Sequence, residues 1–140
     1  MVRHAEAEWS GSLKEGKGRV KVETGAINSP YSFRSRFEGG GETNPEELLG
    51  ASHAGCFTMA LSAALTNAGH PPSNIKTTAA VTLTPVDGKP TITRIDLTTQ
   101  ATVPGIDNTA FQKIAADAKA GCPISRALGG TEIHLDAKLT

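Results

Sequence analysis

Thr43-Asn44-Pro45-Glu46-Glu47-Leu48-Leu49-Gly50-Ala51-Ser52-His53-Ala54-Gly55-Cys56-Phe57-Thr58-Met59-Ala60-Leu61-Ser62, running on through Ala63 to Gly69, reads as one long helix with a marked start and stop. Asn44 suits the N-cap, Pro45 the first helical position, and Glu47 stands three residues after the cap, as in a capping box. Gly69 followed by Pro71 and Pro72 ends it. Apolar or small residues cover most of its circumference, which predicts a helix buried all round rather than half-solvated. Cys56 lies near its middle.

Outward from this helix, composition narrows the function classes. The chain has 140 residues, which points to a single domain over 1–140 with room for a core. Its formal net charge is +0 and it has no basic block, so nothing electrostatic points to nucleic acid or an anionic membrane. No apolar run follows the Met1-Val2-Arg3-His4 start, so no signal peptide is visible and a cytoplasmic location is expected. Leu48 to Leu65 is long enough to raise the question of a membrane span. Its Ala/Gly-rich composition, with Ser52, His53, Thr58 and Ser62, favours a soluble core helix. The 4 histidines show no helical metal-ligand spacing, so neither a metal nor a cofactor is expected.

On the N-terminal side, residues 4–9 and 17–23 read as strands around a Gly16-Lys17-Gly18 turn, with Val20 and Val22 alternating against Lys21 and Glu23. A third strand is predicted over Tyr31 to Phe37, with Arg34 and Arg36 on its polar face. After the helix, Lys76 to Thr84 and Thr91 to Val103 read as partner strands around a turn at 85–90. Ile92 is out of phase there, which predicts a bulge or a late strand start. A second helix begins at Asp107 with Phe111, Ile114, Ala115 and Ala118 as its apolar stripe, and Gly121 breaks it. Cys122-Pro123 opens a short helical turn, and Ile133 to Leu139 alternate as a last strand. The expected fold class is α+β, antiparallel sheets with a long central buried helix. One sheet covers only one side of such a helix, so a homodimer is expected to bury the rest.

The 2 cysteines, Cys56 and Cys122, form no CxxC motif or disulfide framework. The default reading of Cys56 is a small core residue. To act as a nucleophile it needs a thiolate, against a free pKa of about 8.5. It stands roughly 16 Å along the helix from Pro45, beyond the reach of the helix dipole. A cation must come from elsewhere, and Arg36, Arg34 and Arg19 are the candidates in nearby sequence. Cys122 stands at a helix start, where free N–H groups favour an anionic sulfur, although a buried thiol at a tight turn fits equally well. Two such thiols suggest a peroxidatic and resolving pair, one oxidised to a sulfenic acid and the other condensing with it.

The chain resembles the OsmC family, within the group that includes the Ohr organic hydroperoxide reductases. The resemblance is carried by Phe33-Arg34-Ser35-Arg36-Phe37-Glu38-Gly39, Thr43-Asn44-Pro45-Glu46-Glu47-Leu48 and His53-Ala54-Gly55-Cys56-Phe57. Val103-Pro104-Gly105-Ile106-Asp107 and Ala118-Lys119-Ala120-Gly121-Cys122-Pro123-Ile124-Ser125 extend it over nearly the whole chain. It implies a thiol-dependent peroxidase acting on hydroperoxides in stress defence, folded as an intertwined α+β homodimer and recycled by an external thiol or dithiol reductant. Cys56 matches the peroxidatic cysteine and Cys122 the resolving one. Arg36 matches the arginine that stabilises the thiolate, and Glu46 the carboxylate that orients it. The Ohr branch carries its arginine in a Gly-Arg segment, which keeps Gly18-Arg19 as an alternative. Two departures stand out: Glu42 and Gly55 occupy positions where glycine and alanine are more usual.

Helix geometry adds a constraint. Glu46 and Cys56 are ten residues apart, about 15 Å along the axis and roughly 80° around it. Either Arg36 reaches across that gap or Glu46 comes from a second subunit; the second is the expectation, a site built across the dimer interface with Cys56 from one chain and Glu46 and Arg36 from the other. Phe57, Met59, Leu49 and Phe111 are candidate pocket walls, with core packing the preferred role. Ser52 and His53 read as satisfied core polar groups. The rival is a non-enzymatic stress protein that binds small apolar ligands through a pocket and senses oxidation with its thiols. A cysteine hydrolase would need a His/Asp set, and only His53 is near, with no clear orienter.

Overall fold

The computed structural model describes residues 1–140, which divide into two compact units, 1–48 and 49–140. The first unit holds an antiparallel meander of β1 (Ala5–Ser10), β2 (Lys17–Val22) and β3 (Asn28–Tyr31). Lys17 and Gly18 already belong to β2, so the turn before it lies upstream of Gly16. Gly18 pairs with both Trp9 and Tyr31, and a Cβ there would stand 2.4 Å from Tyr31 Cε1 and 2.6 Å from Trp9 Cε3. Its missing side chain lets the two rings approach to 5.3 Å between centroids.

The strand predicted over Tyr31 to Phe37 is corrected. β3 stops at Tyr31, and Phe33–Phe37 forms a short helix, α1. Local chemistry explains the switch. Ser32 Oγ accepts from the Ser35 N–H at 3.1 Å, and Ser35 Oγ accepts from the Ser32 N–H at 2.9 Å. This reciprocal serine box fixes a helix start and outweighs the period-two aromatic pattern. Ser35 Oγ also donates to the Thr43 carbonyl at 2.8 Å, and Thr43 Oγ1 donates to the Pro30 carbonyl at 2.8 Å, which ties the glycine-rich link back to the unit.

The long helix, α2, runs uninterrupted from Pro45 to Asn67. Asn44 caps it as predicted, its Oδ1 accepting the Glu47 N–H at 2.8 Å. At the other end Gly69 takes φ 84°, and the His70 N–H reaches the Leu65 carbonyl at 2.9 Å. All-round burial does not hold in the single chain. Gly50, His53, Phe57, Leu61 and Leu65 form the buried stripe. Ser52, Gly55, Met59 and Ala63, on the opposite side, are exposed. One sheet can cover only one side of a helix, and this one does so. α2 is also long and apolar enough to cross a membrane by length and composition. Its buried stripe instead belongs to the core of the second unit.

That unit's sheet has the order β4 (Asn74–Val86), β5 (Lys89–Thr102), β6 (Glu132–Leu139). β4 and β5 form a hairpin around Asp87-Gly88, both with positive φ, as a two-residue turn of this hand demands. The register shifts at Thr82/Leu83, opposite Ile92, so the bulge that Ile92 signalled is present. β6 pairs parallel to β5, which corrects the all-antiparallel expectation. The reason is the intervening helices α3 (Asn108–Gly121) and α4 (Pro123–Ala127), which carry the chain back as a crossover. Cross-strand rows such as Val81–Ile95–Ile133 and Ala79–Leu97–Leu135 contribute to the core with α2 and the α3 stripe Phe111, Ala115 and Ala118. A Cβ on Gly50 would stand 3.3 Å from Val81 Cγ2, a measure of how closely α2 approaches β4.

Candidate active site

In the second unit α2 and the α3–α4 corner bring two sulfurs together. Asp107 caps α3, whose last residue is Gly121; Cys122 then serves as the C-cap of α3 and the N-cap of α4. Pro123 sets the first turn of α4 and dispenses with an N–H that would have no partner there. This corner places Cys122 Sγ 2.9 Å from Cys56 Sγ, across 66 residues of sequence. Both thiols are free; Cys122 is buried and Cys56 partly buried. Their separation exceeds a disulfide bond by only about 1 Å, so small side-chain movements join them.

The electrostatics of the pair are asymmetric. Burial, reinforced by the contact with Cys122, raises the Cys56 pKa despite the Ile124 N–H. Cys122 is also penalised by burial, but its hydrogen bond with Cys56, the Ser125 amide and hydroxyl and the Ile124 amide together bring it down. These amides face the sulfur from the start of α4 without completing a side-chain cap. The helix-start amides thus favour negative charge on Cys122, against the cost of its burial. Cys56 still lacks a cation from its own unit.

Ser125 is the residue that sequence reasoning passed over. It stands three residues after Cys122, a capping-box spacing, and this was the available signal. Its Oγ lies 2.8 Å from Nε2 of His53, which is fully buried and whose pKa burial lowers. Ser52, grouped with His53 in the sequence, is exposed instead. Phe57 and Phe111 are core residues, whereas Met59 is 76% exposed and belongs to neither core nor pocket in the single chain.

The other two site candidates meet in the first unit. Arg36, on α1, donates from Nε and Nη2 to Glu46 Oε1 at 3.1 and 2.9 Å. Its guanidinium carbon also lies 5.3 Å from the centre of the Phe37 ring. Arg36 lines a cavity of about 430 Å³ whose walls include Trp9, Leu13, Tyr31, Phe33 and Phe37. The alternative, Arg19, is exposed and spends Nη1 on the carbonyl and side-chain oxygens of Asn28 at 3.1 and 2.9 Å. No three His, Cys, Asp or Glu side chains converge as metal ligands.

Each pair, the thiols and the ion pair, is thus formed within one unit. Known proteins with the same sequence pattern give the arrangement a context. Residues 38–138 match the family model described as OsmC-like protein. The chain is 51% identical over 138 residues to Peroxiredoxin OsmC of Escherichia coli (strain K12), covering 98% of this chain and 96% of that one. Among solved structures it is similar to an organic hydroperoxide resistance protein from Elizabethkingia anophelis, with a TM-score of 0.78 at 23% identity, covering 100% of this chain and 99% of that one. An OsmC-like protein from Mycoplasma pneumoniae has the same fold, with a TM-score of 0.78 at 14% identity, covering 100% and 98%.

Proposed function

From the premise that this chain belongs to the OsmC family and is a thiol-dependent peroxidase, we infer that Cys56 and Cys122 are its reacting sulfurs. The observation that carries this reading is the 2.9 Å approach of two free thiols from distant parts of the sequence. The substrate is a hydroperoxide and the electrons come from an external thiol.

In the proposed cycle the Cys56 thiolate attacks the O–O bond. Cys56 becomes a sulfenic acid, and the departing alkoxide takes a proton to leave as the alcohol. Cys122 then displaces the hydroxyl, and the Cys56–Cys122 disulfide and water form. A thiol or dithiol reductant reopens the disulfide, so the two cysteines need no cofactor, and a cytoplasmic location suits that supply.

Arg36 is the cation that offsets the desolvation of the Cys56 thiolate, and Glu46 holds it in place. Two features support a site shared between subunits of a homodimer. Glu46 and Cys56 are ten residues apart on one uninterrupted helix, about 15 Å along its axis. The Ser52, Gly55, Met59 and Ala63 face of that helix is uncovered in the single chain. A second copy laid on this face is the arrangement we propose, its Arg36 and aromatic cavity serving the Cys56 of the neighbour. A cavity walled by Trp9, Tyr31, Phe33 and Phe37 favours a bulky apolar peroxide over H₂O₂.

Stopped-flow reaction of the reduced protein with cumene hydroperoxide and with H₂O₂ tests the reading. Rapid loss of the Cys56 thiol, then a Cys56–Cys122 disulfide, is the expected sequence, with the organic peroxide faster. Reaction no faster than that of free cysteine would point instead to a ligand-binding protein with incidental thiols.

A further inference from the structure

Two side-chain contacts cross from α2 to the α3–α4 corner. Cys56 Sγ meets Cys122 Sγ at 2.9 Å. His53, three residues before Cys56, meets Ser125, three residues after Cys122, with Nε2 and Oγ 2.8 Å apart. Three residues is close to one helical turn, so each pair of neighbours lies on a common side of its own element. The contacts are two rungs across one gap. The polar rung is the only hydrogen bond the imidazole makes, because His53 is fully buried and its Nδ1 has no partner. Without Ser125 both ring nitrogens would be buried and unsatisfied, so the ring ties α2 to this corner at a real cost if the tie breaks.

The corner has little else of a directional kind to place it. The 5-residue α4 is too short to be stable as a helix on its own. Ile124 and Leu128 pack against the core, but apolar packing is non-directional and leaves the register along α2 less sharply set. Beyond the sulfurs, no other side-chain hydrogen bond joins α2 to α4. A hydrogen bond is directional and short, and this one fixes α4 one turn away from the thiols.

We propose that the His53–Ser125 hydrogen bond is a positioning clamp for disulfide formation, holding α4 on α2 at the register that keeps Cys122 Sγ within reach of Cys56 Sγ. The inference rests on the reading of Cys56 and Cys122 as the peroxidatic and resolving thiols. In the resolving step Cys122 gives up its proton and its sulfur attacks Cys56 Sγ, forming the S–S bond as the Cys56 S–O bond breaks. The leaving hydroxide and the released proton make water; the Cys56 sulfur is reduced and the Cys122 sulfur oxidised. His53 and Ser125 exchange neither proton nor electron in this step. They act through the placement of α4, and a misplacement of about 1 Å is enough to slow such an intramolecular attack. Clamp and disulfide tie the same two elements, so each favours the other by linkage.

Two measurements on the full-length protein test the clamp. Rapid quench with mass spectrometry after cumene hydroperoxide reads sulfenic acid formation at Cys56 and disulfide formation with Cys122. Equilibration with dithiothreitol, one molecule oxidised for each protein disulfide reduced, reads the thiol–disulfide constant. Ser125→Ala should slow disulfide formation relative to sulfenic acid formation, and shift the equilibrium toward the dithiol, each by about tenfold, the scale of one buried hydrogen bond. Ser125→Thr keeps the hydroxyl and His53→Gln keeps an N–H donor, so both should stay near wild type. His53→Leu should match Ser125→Ala, and the double variant should be no worse than either, because all three lack the same bond. If His53→Leu does not fold, Ser125→Ala decides alone. Hydrogen exchange separates a clamp from general destabilisation. The Arg126 and Leu128 amides, bonded to the Cys122 and Ile124 carbonyls, should exchange faster in reduced Ser125→Ala than in reduced wild type. In the disulfide forms, where the S–S bond supplies the tether, that difference should shrink. A wild-type rate ratio and equilibrium in Ser125→Ala overturn the proposal while leaving the thiol pair intact. An exchange difference that is equally large in both redox forms reduces the bond to a packing role. A wild-type protein that forms no Cys56–Cys122 disulfide removes the underlying reading and this inference with it.

Discussion

Arg36 directs two N–H groups at a single oxygen of Glu46, Oε1, and leaves Glu46 Oε2 buried without a partner. A guanidinium commonly spreads over both oxygens of a carboxylate. Here one oxygen is unspent, and the Glu46 side chain is only 12% exposed against 37% for Arg36. The carboxylate is therefore the fixed member and the arginine the member it steers. Glu46→Ala should lower the rate constant for Cys56 oxidation by cumene hydroperoxide by roughly 10²-fold, the scale of a misplaced reacting group. Glu46→Gln, which keeps an acceptor but loses the charge, should fall between. Stopped-flow kinetics at matched peroxide concentrations measure this, and a wild-type rate in Glu46→Ala would remove Glu46 from the site.

The sulfur pair makes a crossed prediction. Cys122 raises the Cys56 pKa, and Cys56 lowers the Cys122 pKa. Removing either partner should then move the survivor in opposite senses. In Cys122→Ser, Cys56 should titrate at lower pH than in wild type, because burial alone is left to oppose ionisation. In Cys56→Ala, Cys122 should titrate higher, because it loses its side-chain hydrogen-bond partner. Thiolate absorbance at 240 nm followed against pH reads both. Shifts in the same direction would mean that the two thiols do not share a hydrogen bond in solution.

His53 gives stability a pH dependence whose sign follows from its burial. Its folded pKa is lowered from the ordinary 6.5, so below that value the unfolded chain binds a proton that the folded chain refuses. Stability should therefore fall as pH drops through 6.5, at no more than about 1.4 kcal/mol per pH unit from this one group. Urea midpoints at pH 7.5 and 5.5 should differ more for wild type than for His53→Gln, which has nothing to protonate. Equal differences in the two proteins would place the titrating group elsewhere.

The fold was legible wherever a local signal agreed with its surroundings. Asn44-Pro45 and Gly69 delimited α2, and Ile92 announced the bulge, because caps and register errors are short-range chemistry. Two failures had different causes, one a competition between local signals and the other the lack of any local signal. Tyr31, Phe33 and Phe37 alternate like a strand, but the Ser32/Ser35 box holds Phe33–Phe37 as helix. The parallel pairing of β6 depends on where the α3–α4 crossover delivers the chain, which periodicity does not encode. The site divided along similar lines. Cys56, Cys122, Arg36 and Glu46 were named from motif positions, whereas the His53–Ser125 contact joins residues 72 apart and became visible only with the fold.

The exposed side of α2 leads to the last prediction. Met59 is 76% exposed, flanked by Gly55 and Ala63, so a charge there costs the isolated chain little. Buried against a second copy, the same charge would be left unpaired. Met59→Lys should keep its circular dichroism while its mass in solution falls from twice the chain's 14.5 kDa to that value. If Arg36 and Glu46 serve the partner's Cys56, peroxidase activity should fall with the dimer. Mixed dimers sharpen the test. Pairing a Cys56→Ser chain with a Glu46→Ala chain leaves one intact and one doubly damaged site if sites are shared, but two singly damaged sites if each chain is self-sufficient. Activity of the mixed dimer well above both mutant homodimers is the result expected of a shared site. Activity no better than theirs would return Arg36, Glu46 and Cys56 to a single chain.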